Sequence, residues 1–209
     1  QKTGLVTFHG PNAGTIFESE YTFKNFKKAL FDAAPLGAIE DPFTIDDFGR
    51  EGPPCRLAIS EGEAFGPLTG GCMTLVKQLM GTPFEVDTRG KILFLEDVGE
   101  EPHSIDSFLT QLKLAGKLKR ANGIIIGECL ECIPGKSKRN RLELNFSVTT
   151  MLKELLGDLK IPVAYGFRFG HSKYKFTLPL GIPARLSVQG RQVEFEINEV
   201  ATRDDKDKE

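Results

Sequence analysis

The sequence predicts an α/β fold with a largely parallel sheet, and three observations predict it. From Met73 onward, apolar stretches of strand length alternate with amphipathic stretches of helix length. Two of the strand-length stretches, Ile92-Leu93-Phe94-Leu95 and Ile124-Ile125-Ile126, are apolar without interruption, the pattern of strands that helices cover on both faces. The spacers between strands are long enough for a helical crossover, which a parallel pair needs to bring the chain back.

Taken in order, Leu5 to His9 reads as a short buried strand that stops at the turn signal Gly10-Pro11-Asn12. Phe23, Phe26, Leu30 and Phe31 recur at helical spacing and predict one amphipathic helix over Thr22 to Ala33. Residues 34–66 are rich in Gly, Pro, Asp and Glu, with Gly52-Pro53-Pro54 near the middle, and read as an irregular connection with one or two short strands. A domain boundary is expected near its end. Helices are then expected over Met73–Met80, Ser104–Ala115 and Ser147–Leu159, and strands over Lys91–Val98, Gly123–Cys129 and Pro162–Phe167. Ala184–Val188 and Gln192–Ile197 flank Gln189-Gly190-Arg191 and predict an antiparallel hairpin. The end of the chain, 203–209, has no apolar residue and is expected to be a disordered tail.

Apolar residues make up 40% of the 209 and charged residues 27%, the balance of a folded globular protein rather than a disordered one. The formal charge of -2 supplies no basic excess for a phosphate backbone, which argues against nucleic acid as a partner. Lys136, Lys138, Arg139 and Arg141 form a basic loop that reads as solvated surface. No apolar run is long enough to span a membrane, and the first residues lack the pattern of a secretory signal. Cys55, Cys72, Cys129 and Cys132 are too sparse for a disulfide framework, so a reducing compartment is expected. Cys129-Leu130-Glu131-Cys132 has the spacing of a redox or zinc site, but no second pair or His couple accompanies it. Two small residues where a strand leaves the core is the simpler reading.

Glu96 and Asp97 follow the apolar strand and should lie at its carboxyl end, where open α/β sheets hold their ligands. His171, in Phe169-Gly170-His171, follows another strand. A carboxylate bonded to one ring nitrogen fixes the imidazole tautomer and stabilises the imidazolium formed when the ring takes a proton, so the pair makes sense as orienter and base. A helix cap for the carboxylates and a hydrogen-bonded structural role for the histidine are the competing readings. No Gly-x-Ser-x-Gly elbow is present, and Ser60 and Ser172 lack the strand-turn-helix setting of a nucleophile. His9 ends a strand and could face the same cleft or be structural, and His103 reads as structural.

Several segments in order resemble the LD-carboxypeptidase family of serine peptidases, which includes the microcin-immunity peptidases. They are Gly4-Leu-Val-Thr-Phe-His-Gly-Pro11, Leu68-Thr-Gly-Gly71, Gly81-Thr-Pro-Phe-Glu-Val-Asp87 and Lys91-Ile-Leu-Phe-Leu-Glu-Asp-Val-Gly-Glu100, followed by Gly123-Ile-Ile-Ile-Gly127, Phe169-Gly-His171 and Leu178-Pro-Leu-Gly181. The resemblance implies a carboxyl-terminal domain of the swivelling β/β/α type over 66–202, preceded over 1–65 by the remnant of an α/β amino-terminal domain and its linker. It implies Glu96 and His171 as the glutamate and histidine of a Ser-His-Glu triad, and a nucleophilic serine just upstream of Gln1, on a missing amino-terminal domain that would also form the oxyanion hole. No cofactor or metal is implied. The activity implied is hydrolysis of the L,D-bond to the terminal D-alanine of a murein tetrapeptide, in cytoplasmic cell-wall recycling. Alternatives are a microcin-immunity amidohydrolase, a non-catalytic muropeptide-binding or dimerisation domain, and a zinc or redox protein built on the cysteine pair. One departure is Gly70-Gly71-Cys72, where the family tends to have Gly-Gly-Asn. Without an upstream sheet, strand 5–9 is expected either to be disordered or to pair with a second copy in a homodimer.

Overall fold

The structure is a computed structural model that describes residues 3–42, 56–132 and 148–202, with the backbone of 44–45 and 51–52. The basic loop 136–141, Cys55 and the tail 203–209 lie outside the described residues. Elements are numbered in chain order. One sheet of eight strands forms the frame: β2 (Gly37–Ala38), β12 (Gln192–Ile197), β11 (Pro183–Gln189), β6 (Gly62–Cys72), β7 (Ile92–Glu96), β8 (Gly123–Gly127), β9 (Val163–Phe167) and β5 (Leu57–Ser60), in that spatial order. Two small pairs complete the strands, β1 (Thr7–His9) with β10 (Leu178–Leu180), and β3 (Thr44–Ile45) with β4 (Glu51–Gly52).

Strands β6 to β9 run parallel, as the alternating pattern predicts, while β11, β12, β2 and the far edge strand β5 are antiparallel to their neighbours. The fold is therefore α/β with a mixed sheet. Strand β6 joins the two halves. Gly62 to Pro67 pair with β11, and Leu68 to Cys72 pair with β7. Its sequence, interrupted by four glycines and a proline, carries no strand pattern of its own, and residues 65 and 66 fall inside it without a break.

Helices α2 (Met73–Leu79), α3 (Pro102–Leu114), α4 (Lys117–Arg120) and α5 (Val148–Leu156) connect the parallel strands. In α3, Ile105, Phe108, Leu109 and Leu112 are buried at helical spacing, and Pro102 at its first turn has no amide that a helix would need there. Alternation along β7 divides the core. Ile92 and Phe94 pack on one face with Phe167, Phe169, Phe176 and Leu178; Leu93 and Leu95 pack on the other with α2, α3 and α5 residues such as Val76, Leu109 and Leu152. Every residue of β7 and β8 is buried.

The amino-terminal segment docks on this frame. In helix α1 (Glu20–Phe31), the Ser19 hydroxyl caps the amide of Thr22 at 3.1 Å. Buried Thr22 then donates its hydroxyl to the Lys173 carbonyl and accepts from the Lys175 amide, each at 3.0 Å. Strand β1 is paired within the chain: Thr7, Phe8 and His9 face Leu180, Pro179 and Leu178. This corrects the expectation that it would be disordered, because β10, three residues around a proline, is too short to be legible as its partner in the sequence. Among the described residues no helix is long and apolar enough to cross a membrane.

Candidate active site

The last residue of β7 is Glu96, and the parity of the strand decides its surroundings. It follows Phe94 on the aromatic face, whereas Asp97, one residue on, points to the helical face. The two adjacent carboxylates therefore do different work. Asp97 is a cap: its Oδ2 accepts from both the amide and the hydroxyl of Thr74 at 3.0 Å, in the first turn of α2. Its Oδ1 accepts from the amide of Val98 at 2.9 Å. A groove of about 510 Å³ opens on this face between α2 and α3, lined by Thr74, Lys77, Asp97, Glu100 and Gln111, and neither Glu96 nor His171 reaches it.

Glu96 is 1% exposed, and its Oε2 lies 2.9 Å from Nδ1 of His171. The two residues, 75 positions apart, are brought together because β7 and β9 lie on either side of β8 and run the same way. After β9 the chain turns over the sheet edge through Phe169 and Gly170, a turn closed by the Phe176 amide donating to the Arg168 carbonyl at 2.9 Å. Two glycines give the carboxylate its room. A Cβ on Gly170 would stand 2.7 Å from Glu96 Oε2, and one on Gly127 would stand 2.9 Å from Glu96 Cβ. Sequence reasoning missed the role of both, although Gly127 at the end of β8 and Gly170 in the turn after β9 were visible.

His171 is half exposed. With Nδ1 committed to Glu96, its other ring nitrogen is left to exchange a proton with a group above the sheet, and the buried carboxylate can balance the imidazolium so formed. No serine among the described residues bonds to it. The Ser172 hydroxyl, next in sequence, donates instead to the Tyr174 carbonyl at 2.6 Å, and Ser60 lies on edge strand β5. His9 does reach the site: its Nε2 lies 2.8 Å from the Phe169 carbonyl and 3.9 Å from Glu96 Oε1. His103 is exposed, with its Nδ1 3.2 Å from Glu101 Oε2.

Beside the pair, the ends of β8 and β9 hold Glu128 and Arg168 in an ion pair of 3.2 Å. Burial pushes the Glu128 carboxyl up, opposed by the Arg168 charge. Cys129 and Cys132 are free thiols on a turn in which the Cys132 amide donates to the Cys129 carbonyl at 3.4 Å and Glu131 adopts a positive φ of 55°. The thiols donate to backbone carbonyls, Cys129 to Gly127 at 4.0 Å and Cys132 to Leu130 at 3.5 Å, and their mutual interaction holds Cys132 below the usual thiol range while it, followed by burial, raises Cys129. Cys72 stands where the resembling family tends to have Asn, and its thiol lies 3.8 Å from Asp97. The described residues hold no group of three or more His, Cys, Asp and Glu disposed to bind a metal.

Comparison with known proteins converges on one family. The family model described as the LD-carboxypeptidase C-terminal domain matches residues 65–186. A probable murein peptide carboxypeptidase of Bacillus subtilis is 35% identical over 190 residues, covering 90% of this chain and 54% of that protein. Among solved structures, a muramoyltetrapeptide carboxypeptidase from Oxalobacter formigenes superposes with a TM-score of 0.73 at 28% identity, over 95% of this chain and 64% of that one. The microcin C7 self-immunity protein MccF superposes with a TM-score of 0.77 at 22% identity, over 97% of this chain, a likeness of fold. The chain spans about half the length of the curated relatives it matches, 54% and 53% for two of them.

Proposed function

The chain belongs to the LD-carboxypeptidase family, and from that premise we propose that Glu96 and His171 are the orienting carboxylate and general base of a serine hydrolase. The nucleophilic serine would come from a part of the enzyme outside these 209 residues. The observation that carries the reading is the 2.9 Å bond from a buried carboxylate to one ring nitrogen of a half-exposed histidine, at the carboxyl edge of a parallel sheet.

In this mechanism the serine hydroxyl gives its proton to Nε2 of His171 as its oxygen attacks the scissile carbonyl. Glu96 stabilises the imidazolium across the Nδ1 bond, and His171 then hands the proton to the departing amine. Water, activated by the same imidazole, hydrolyses the acyl-enzyme. The oxyanion donors would also belong to the part that carries the serine. The proposed substrate is a murein tetrapeptide, the bond hydrolysed is the L,D-bond to terminal D-alanine, and the setting is cytoplasmic recycling by a homodimer. The 35% identity to a probable murein peptide carboxypeptidase supports this substrate class over a microcin-type amide, where the named relative is 27% identical.

The test is D-alanine release from a murein tetrapeptide by this chain, by the whole enzyme, and by this chain mixed with a separately made upstream fragment. The chain alone should be silent, and His171→Ala in the whole enzyme should lower kcat by roughly 10³-fold or more. Release by the chain alone would mean that the nucleophile has been misplaced, and release by the wild-type whole enzyme undiminished in His171→Ala would remove the base from this residue.

A further inference from the structure

His171 is half exposed, so packing does not set its direction, and its one bond to Glu96 leaves the turn that carries it to be fixed by other contacts. The peptide two residues before it supplies one. The carbonyl of Phe169 lies 2.8 Å from Nε2 of His9, and because a carbonyl can only accept, His9 Nε2 carries a hydrogen and donates it. That same nitrogen faces the second oxygen of Glu96 at 3.9 Å, while Oε2 is engaged by His171. One imidazole thus touches the turn holding the base and stands beside the carboxylate orienting it.

His9 is well held for such a task. Its strand is paired to β10 in the register His9 to Leu178, and its ring rests against Phe94, centroids 5.2 Å apart. Phe94 packs in turn edge-on against Phe169, centroids 5.6 Å apart. The next residue, Gly10, runs so close to Thr177 that a Cβ there would stand 2.8 Å from its hydroxyl. Strand β1, the aromatic face of β7 and the turn after β9 therefore meet at this ring.

We infer that His9 is a positioning residue: by donating from Nε2 to the Phe169 carbonyl, it fixes the Phe169-Gly170-His171 turn so that Nδ1 of His171 meets Glu96. The inference rests on the reading of Glu96 and His171 as orienter and base, but its geometric half can be measured without any substrate. A glutamine side chain can place an N–H near the position of His9 Nε2, whereas leucine fills similar space without a donor.

Two measurements test it together. In the whole enzyme, His9→Leu should lower kcat roughly 10-fold to 100-fold, since displacing a reacting group by about an ångström costs on that order; KM should stay within about twofold, and His9→Gln should recover most of the loss. In this chain, ring ¹⁵N shifts of His171 should report the Nδ1–H tautomer in wild type and His9→Gln, and a mixture of tautomers in His9→Leu. If His9→Leu does not fold, His9→Asn, polar but too short to reach the carbonyl, takes its place. Unchanged His171 ring shifts in the donor-free variant would overturn the inference, as would a kcat loss that glutamine fails to restore. Altered ring shifts in an enzyme whose wild type releases no D-alanine would uphold the positioning role and sink the proposed activity instead.

Discussion

Glu96 and Asp97 are neighbours in sequence, both carboxylates and both buried, yet they belong to different halves of the molecule. Glu96 faces the aromatic core, where two glycines clear a space and a histidine from a distant strand end meets one oxygen. Asp97 faces the helices and spends its oxygens on backbone amides and the Thr74 hydroxyl. What separates them is the two-residue period of a strand, which sends consecutive side chains to opposite faces. Position at the carboxyl end of a parallel strand is therefore insufficient to identify a reactive group; the face of the sheet decides, because only one face carries the turn from β9.

This contrast can be broken by substitution. The largest expected effect is Glu96→Gln in the whole enzyme. The amide keeps the shape but cannot balance an imidazolium and can present its own N–H₂ to the ring, so kcat should fall by roughly 10³-fold to 10⁴-fold, read as D-alanine release. Gly170→Ala should come next: its methyl group would press on Glu96 Oε2, shifting the carboxylate from His171 and lowering kcat by about 10²-fold. The smallest effect on rate should come from Asp97→Ala. Loss of the cap on α2 should cost about 1–2 kcal/mol in denaturant unfolding while leaving kcat within a few-fold. A rate loss in Asp97→Ala as large as in Glu96→Gln would dissolve the division of labour between the two faces.

Much of the parallel half was legible in the sequence, and so was the antiparallel hairpin beside it, since β7, β8, α3 and the hairpin of β11 and β12 each carry their own period or turn signal. Strand β6 was not, because its glycines and proline hide an element whose two ends pair with different partners. Nor was β10, which is defined by its pairing with β1 rather than by its three residues. Gly127 could be seen as strand-end punctuation and Gly170 as a turn residue, but the carboxylate they make room for could not.

The sequence by itself determined the alternation of strands and helices, the placing of Glu96 and Asp97 at a strand end, and the family to which the ordered segments point. The first two follow from local periodicity and composition, which act over a few residues, and the third from the resemblance of the ordered motifs. Only the tertiary structure decided the 2.9 Å contact of Glu96 with His171, that His9 joins them, and that Ser172 turns its hydroxyl to a backbone carbonyl. Those contacts join residues far apart in the chain, or depend on which way a turn folds over the sheet. Local pattern cannot fix them, because they are set by which strands become neighbours and by the face each strand presents.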